Sequence, residues 1–248
     1  MGDKIERQLH EKQLPFFYTG DMILIQVLSA ECFGDIQSKN AEPLIGPCNV
    51  RRGMVEGDFI IMHTDRLTIR DHRYADAASH HVLLSDPEVM YYLQDIMTDN
   101  FERSSSNLAE AIEEISNPDR SKFFFRIEDR KTGEHIGEIG YTVTGYSKKG
   151  KIVNAGYFIK KEFWGNGYTA EAFSKLLWFA FMKGGVTLVE TGCIKENVRS
   201  ERVMQKCRLI REDGCLEEWH DGCLKERVQY RLTREEWLES RVTRILPS

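Results

Sequence analysis

Phe163-Trp164-Gly165-Asn166-Gly167-Tyr168-Thr169-Ala170-Glu171-Ala172 lies between a strand-like run and a long helix, and its two glycines decide which fold the chain takes. The run before it spans 151–160. The helix after it is predicted over 169–183, with Ala170, Phe173, Leu176, Leu177, Ala180 and Phe181 spread over most of its faces, so it is buried on more than one side. Glycines ahead of a helix bring backbone N–H groups to one point without Cβ obstruction, and the helix N-terminus adds about half a positive charge. Such a loop binds a pyrophosphate without any cationic side chain; the plainer alternative is a tight turn. The string also fits G-x-G-x-x-A (Gly165, Gly167, Ala170), the dinucleotide fingerprint, with Glu190 as a ribose partner. Against that rival, Lys161-Glu162-Phe163-Trp164 separate the strand from the first glycine, and too few residues follow for a second nucleotide-binding half.

Outward from the loop, residues 66–70 alternate like a half-buried strand. Residues 74–93 read as a helical region restarted at Ser85-Asp86-Pro87. Leu108, Ile112 and Ile115 mark a second amphipathic helix that Asn117-Pro118 stops. Strands over 122–129, 135–144 and 151–160 are joined by hairpin-like links. After the long helix come a strand (186–194), a helix (198–206), strands (209–219 and 227–232) and a short helix capped by Thr233 with Glu236 three residues on. The order β-αα-βββ-α-β-α-ββ is an α+β domain with mixed strand directions, in which 151–194 makes a parallel crossover. Residues 1–58 read as an N-terminal extension: a polar helical start (4–13), the apolar run Met22-Ile23-Leu24-Ile25-Gln26-Val27-Leu28, then a linker punctuated by Pro43, Gly46, Pro47, Gly53 and Gly57. A boundary near Asp58 leaves 59–248 as the main domain. No function is assigned to the extension; capping of that domain, pairing into a homodimer and partial disorder are all open to it.

Composition narrows the function. A net charge of −5 over 248 residues argues against a nucleic-acid binder held by phosphate contacts. The six cysteines (Cys32, Cys48, Cys193, Cys207, Cys215, Cys223) form no C-x-x-C pair, so neither a metal site nor a disulfide framework is expected. No signal peptide and no apolar run long enough for a membrane span is read, so a cytoplasmic protein is expected.

Several further strings stand in a set order: Thr64-Asp65-Arg66-Leu67-Thr68-Ile69-Arg70, Ser85-Asp86-Pro87-Glu88-Val89-Met90, Ile136-Gly137-Glu138-Ile139-Gly140-Tyr141, Gly156-Tyr157-Phe158-Ile159, Glu196-Asn197-Val198-Arg199-Ser200 and Val203-Met204-Gln205-Lys206. With the 164–172 string they resemble, over about 180 residues, the GNAT superfamily of N-acetyltransferases and its RimJ/RimL-type branch. The resemblance implies a GNAT fold, a mixed central sheet flanked by helices, and acetyl-CoA as co-substrate. It implies that Trp164, Gly165, Asn166, Gly167, Tyr168 and Thr169 cradle the pyrophosphate, with Trp and Thr departing from the family's usual first and last positions. It implies that the strand before the loop splays from its neighbour, with Gly156 either the place of a bulge or simply a relief of close packing, and that backbone groups of Phe158, Ile159 and Lys160 meet the pantetheine arm. Asn197 and Ser200 match the family's N-x-x-S; Asn197 would bond the cofactor arm, or simply cap the helix.

Many relatives carry a tyrosine on that helix to protonate the departing thiolate, but here the position is Met204, which leaves Ser200 or water. Cys207-Arg208 replace the usual Leu-Gly, so an altered helix end is expected. The acceptor amine must shed a proton, and Glu138, with Glu190 ranked behind it, is the candidate base, the plainer alternative for either being a solvated or salt-bridged carboxylate; His135 and His220 stay unranked. Nine acids between Ser85 and Asp119, against Arg103 alone, suggest an acidic wall that draws a cationic acceptor. The expected acceptor is a protein N-terminus or a small-molecule amine. The alternative is a non-catalytic acyl-CoA sensor or assembly module on the same fold.

Overall fold

The computed structural model describes residues 59–242, and in them eight strands form one sheet in the order β1-β2-β3-β4-β5-β6-β8-β7. The strands are β1 (Ile61–His63), β2 (Leu67–Asp71), β3 (Lys122–Asp129), β4 (His135–Ser147), β5 (Gly150–Ile159), β6 (Val186–Ile194), β7 (Ile210–Glu218) and β8 (Leu224–Thr233). The helices are α1 (Ala77–Leu84), α2 (Phe101–Glu113), α3 (Tyr168–Met182), α4 (Val198–Lys206) and α5 (Arg234–Val242). Every neighbouring pair is antiparallel except β5 and β6. A single parallel pair among the described strands is incompatible with the dinucleotide-binding alternative, which needs a mostly parallel sheet.

The expected elements are present with small shifts at their ends, and the three-residue β1 is an addition. The region 74–93 is helical only in α1 and two short turns. Pro87 interrupts it, and the Asp86 side chain accepts from the N–H groups of Glu88 and Val89 (2.8 and 3.2 Å), which fixes a turn there instead of a continuous helix. The expected helix 4–13, strand 22–28 and boundary at Asp58 lie outside the described residues.

Strand alternation sorts the core onto two faces. On β5, Val153 and Ala155 join Phe173, Leu176, Leu177 and Phe181 of α3. Phe158 points the other way, to Leu83, Leu84 and Met90 under α1, with Phe124. Phe173, Leu176 and Phe181 are at most 1% exposed, and burial of each is worth roughly 1.5–3 kcal/mol. Trp237 on α5 closes the α3 side against Phe181, ring centroids 5.5 Å apart. Tight packing on both faces holds β5 while one of its edges is left open.

That open edge positions the site. Pairing of β4 with β5 continues to Gly137–Ile159, and of β6 with β8 to Ile194–Arg227, but β5 and β6 pair only from Lys151–Val186 to Asn154–Glu190. Beyond the Asn154–Glu190 rung each strand follows its antiparallel neighbour and the two part. The expected splay is there; a bulge at Gly156 is not. Gly156 keeps unbroken register with Gly140, and the irregularities fall at Val143/Gly145 and Lys151/Ile152.

Candidate active site

A cleft of about 440 Å³ fills the gap between β5 and β6 and runs to the glycine loop. Of the expected residues, Phe158, Ile159, Trp164, Gly165, Gly167, Thr169, Asn197 and Ser200 line it. Gly165 and Gly167 both have φ of 78°, the left-handed region that disfavours any side chain. No side chain caps α3, and the N–H groups from Gly165 to Ala170 donate to no acceptor among the described residues. A row of open donors at the N-terminus of a 15-residue helix is suited to a phosphate.

The loop is braced from the turn between β1 and β2, which sequence reasoning missed. Arg66 reaches Glu171 (2.6 Å) and the Asn166 carbonyl (3.1 Å), and its guanidinium lies 4.3 Å from the Tyr168 ring centroid. Glu171 also accepts from Thr64 Oγ1 (2.5 Å). The side chains of Asn166 and Tyr168 therefore hold the loop's shape and do not line the cleft. Cations were missed as well: Arg199, Arg202 and Lys206 line the cleft along one face of α4. Their i, i+3, i+7 spacing was visible in the sequence.

Backbone geometry refines which groups meet the slot. Lys160 N–H donates to the Ile136 carbonyl at 2.9 Å, so by antiparallel alternation Phe158 bonds Glu138 across β4. The groups that face the gap belong to Tyr157 and Ile159, which corrects the expectation for Phe158 and Lys160. The Ile159 carbonyl is taken by the Trp164 indole N–H (2.9 Å), and Arg199 stacks 4.3 Å over the Trp164 ring. Asn197 caps α4: its side-chain oxygen accepts from Ser200 N at 3.1 Å.

Glu138 does not line the cleft. It is 1% exposed, buried with His72, His80 and His135. His80 Nδ1 lies 2.6 Å from one carboxylate oxygen; His72 and His135 each have a ring nitrogen 3.7 Å from the carboxylate. Burial alone would raise its pKa, but His80 and His72 overcome this and hold Glu138 at about 2. A carboxylate so acidic, and sealed from the cleft, is no base for an ammonium, so this expectation is corrected. His220 sits in the β7–β8 turn against Trp219, ring centroids 4.9 Å apart.

Glu190 does not line the cleft either, but it stands at the cleft's closed end. Val189 and Cys193 point into the α3 core, so Glu190 projects from the opposite face, on the last rung before β5 and β6 part. Burial first, and the charge of Glu212 second, push it up to about 7. On the same rung and face, Asn154 is 6% exposed, and its Oδ1 has no hydrogen-bond partner among the described residues.

The acidic wall is thinner than its composition suggests. Among the nine acids only Glu88 lines the cleft, and it pairs with Lys161. Asp86 fixes its own turn, and Glu114 accepts from Ser121 and Lys122 N–H, both at 2.9 Å. The α4 end also differs from expectation: Arg208 does take the left-handed conformation (φ 63°), with Leu209 N–H on the Met204 carbonyl at 3.1 Å, so the ordinary helix ending is kept.

A mixed sheet parted at its one parallel pair, with an uncapped glycine loop beside the gap, defines the GNAT fold. The profile described as "Acetyltransferase (GNAT) domain" matches residues 66–210, and the chain belongs to that family of acetyltransferases. Among curated relatives it is 28% identical over 154 residues to the uncharacterized N-acetyltransferase YoaA of Bacillus subtilis, covering 62% of this chain and 85% of that one. Spermidine N-acetyltransferase from Vibrio cholerae, solved with CoA and spermine, superposes with a TM-score of 0.61 at 18% identity, covering 71% of this chain and 99% of that one. RimL, a ribosomal L7/L12 α-N-protein acetyltransferase solved with CoA, gives 0.62 at 15%, covering 71% and 99%. Polyamine and ribosomal-protein enzymes fit equally well, so the fold does not single out the RimJ/RimL branch. Among the described residues no helix is long and apolar enough to cross a membrane.

Proposed function

We propose that the cleft binds acetyl-CoA and that the protein transfers the acetyl group to a primary amine, either a small molecule or a protein N-terminus as in RimJ/RimL-type enzymes. The observation that carries this is the parting of β5 and β6 beside a loop whose N–H groups are open. The residues fit the group: Gly165 and Gly167 leave two positions of the loop without a Cβ, Arg199, Arg202 and Lys206 supply positive charge, and the gap takes an extended arm. Acetyl-CoA supplies a thioester whose carbonyl is open to attack.

The chain's own groups do the rest. The backbone edge of Tyr157 and Ile159 orients the arm. An ammonium has no lone pair, and Glu190, about half ionised near neutral pH, takes its proton. The buried Asn154 Oδ1 accepts a second N–H and aims the nitrogen toward the gap. The spermidine and L7/L12 acetyltransferases of this fold support an amine acceptor without choosing between the two classes.

Calorimetric titration with acetyl-CoA, beside Gly167→Asp, tests the reading. Gly167→Asp places a carboxylate at the anion site and strains a residue at φ 78°. Micromolar binding by the wild type and its loss in the variant are expected; a wild type that does not bind sinks the proposal. Isotopic acetyl transfer into a mixed amine library then identifies the acceptor.

A further inference from the structure

Met204 is 0% exposed and packed in the core below α4, so the helix position that carries a tyrosine in many relatives supplies no hydroxyl here. A phenol nevertheless reaches the same turn from the strand. Tyr157, on the open edge of β5, lies against Phe173 with ring centroids 5.3 Å apart. Its Oη is 3.0 Å from both the carbonyl oxygen and Oγ of Ser200, and both residues line the cleft. Ser200 is itself fixed, because its N–H is held by the Asn197 cap.

We infer that Tyr157 is a positioning residue for the departing sulfur: its single phenol proton is shared between the carbonyl oxygen and Oγ of Ser200, both 3.0 Å away, which leaves the serine's own proton to turn into the cleft. A hydroxyl has one proton, and a partner that donates to its oxygen leaves that proton free to point elsewhere. Burial holds the phenol above its ordinary range, so it stays protonated and remains a donor throughout the working pH range. In the transfer step the acceptor nitrogen bonds to the acetyl carbon and the carbon–sulfur bond breaks. Glu190 holds the proton that the ammonium gives up before attack, the second proton that the nitrogen sheds as the amide forms passes to solvent water, and the sulfur leaves as a thiolate held by the Ser200 O–H that solvent later protonates. The strand thus supplies an orientation that the helix does not.

The inference rests on the acetyl-CoA reading, and its test separates the two. Tyr157→Phe keeps the ring and its packing. Wild type and variant are titrated with CoA and with desulfo-CoA, and the thiol of bound CoA is followed through its thiolate absorbance as pH rises. In the wild type the bound thiol is expected to titrate below the free thiol, and in Tyr157→Phe to move back toward it, with desulfo-CoA affinity unchanged. In parallel, kcat falls about ten- to hundredfold, the range for losing one hydrogen bond to a charged group, while KM for acetyl-CoA stays within about twofold. Ser200→Ala is expected to show the same shift, and the double variant to fall no further. If Tyr157→Phe leaves the thiol titration as in wild type, or weakens CoA and desulfo-CoA equally, the tyrosine only shapes the slot and the inference is overturned. A wild type that binds neither ligand overturns the acetyl-CoA reading instead.

Discussion

Glu190→Gln removes the group that the structure places at the parting of β5 and β6. With its pKa pushed up to about 7 by burial and by Glu212, Glu190 is ionised to about one tenth at pH 6, one half at pH 7 and nine tenths at pH 8. Logarithmic kcat/KM should therefore rise with unit slope below pH 7 and bend near 7. Repeating the profile with acceptors of different basicity separates this bend from titration of the amine, because only the enzyme's limb stays in place. Loss of a positioned base costs about 10²–10⁴-fold, so Glu190→Gln should fall by that factor and lose the bend. Glu212→Gln should move the bend to lower pH, since it removes the second cause of the shift. Stability changes in the opposite direction to activity. A carboxyl raised from 4.5 to about 7 holds its proton in the fold, so the folded state loses stability as pH rises from 4.5 to 7. Glu190→Gln should then be more stable than wild type at pH 8, by about 1–2 kcal/mol once partial exposure is allowed for, and no more stable at pH 4. A variant that keeps the bend near 7 and most of its kcat would refute the assignment.

Two further predictions concern stability alone. His72 and His135 are held below the usual histidine range, His135 at about 4, by burial first, with Glu138 opposing and Arg126 adding to the effect; His80 and Asp76 also act on His72, and Lys160 and His72 on His135. The unfolded chain takes up protons below pH 6.5 that these rings refuse, so stability should fall as pH drops from 6.5 toward 4. His80 works the other way: burial opposes its charge but Glu138 raises it, so its contribution is full below 6.5 and fades as pH rises through its folded value. Both His72 ring nitrogens lack hydrogen-bond partners among the described residues, so His72→Phe should flatten the acid-side decline in Tm; an unchanged slope would place its cause elsewhere. At the end of α4, Arg208→Gly relieves a left-handed residue that costs about 1–2 kcal/mol, less the extra chain entropy of glycine. A gain of about 0.5–1 kcal/mol in urea denaturation is expected, and a loss would show that the Arg208 bond to the Ser240 carbonyl (3.2 Å) outweighs the strain.

The element order, the helix buried on several sides and the glycine loop were determined by the sequence, because each rests on local rules: periodicity, capping and the need for glycine at positive φ. Asn197 as a cap and Ser200 three residues on are likewise local, and both fell in the cleft. The expectations for the proton acceptor changed for long-range reasons. Glu138 and Glu190 are both glutamates on apolar strands, and nothing within either string separates them. Which of them titrates near neutrality depends on neighbours far away in the chain: three histidines, two of them at positions 72 and 80, for the first, and Glu212 for the second. The slot was anticipated, but its vertex at Asn154–Glu190 is fixed by where two antiparallel pairings pull the strands apart, and no single strand encodes that. Tyr157 sits 43 residues from Ser200, and only the fold of strand against helix brings the two hydroxyls to 3.0 Å.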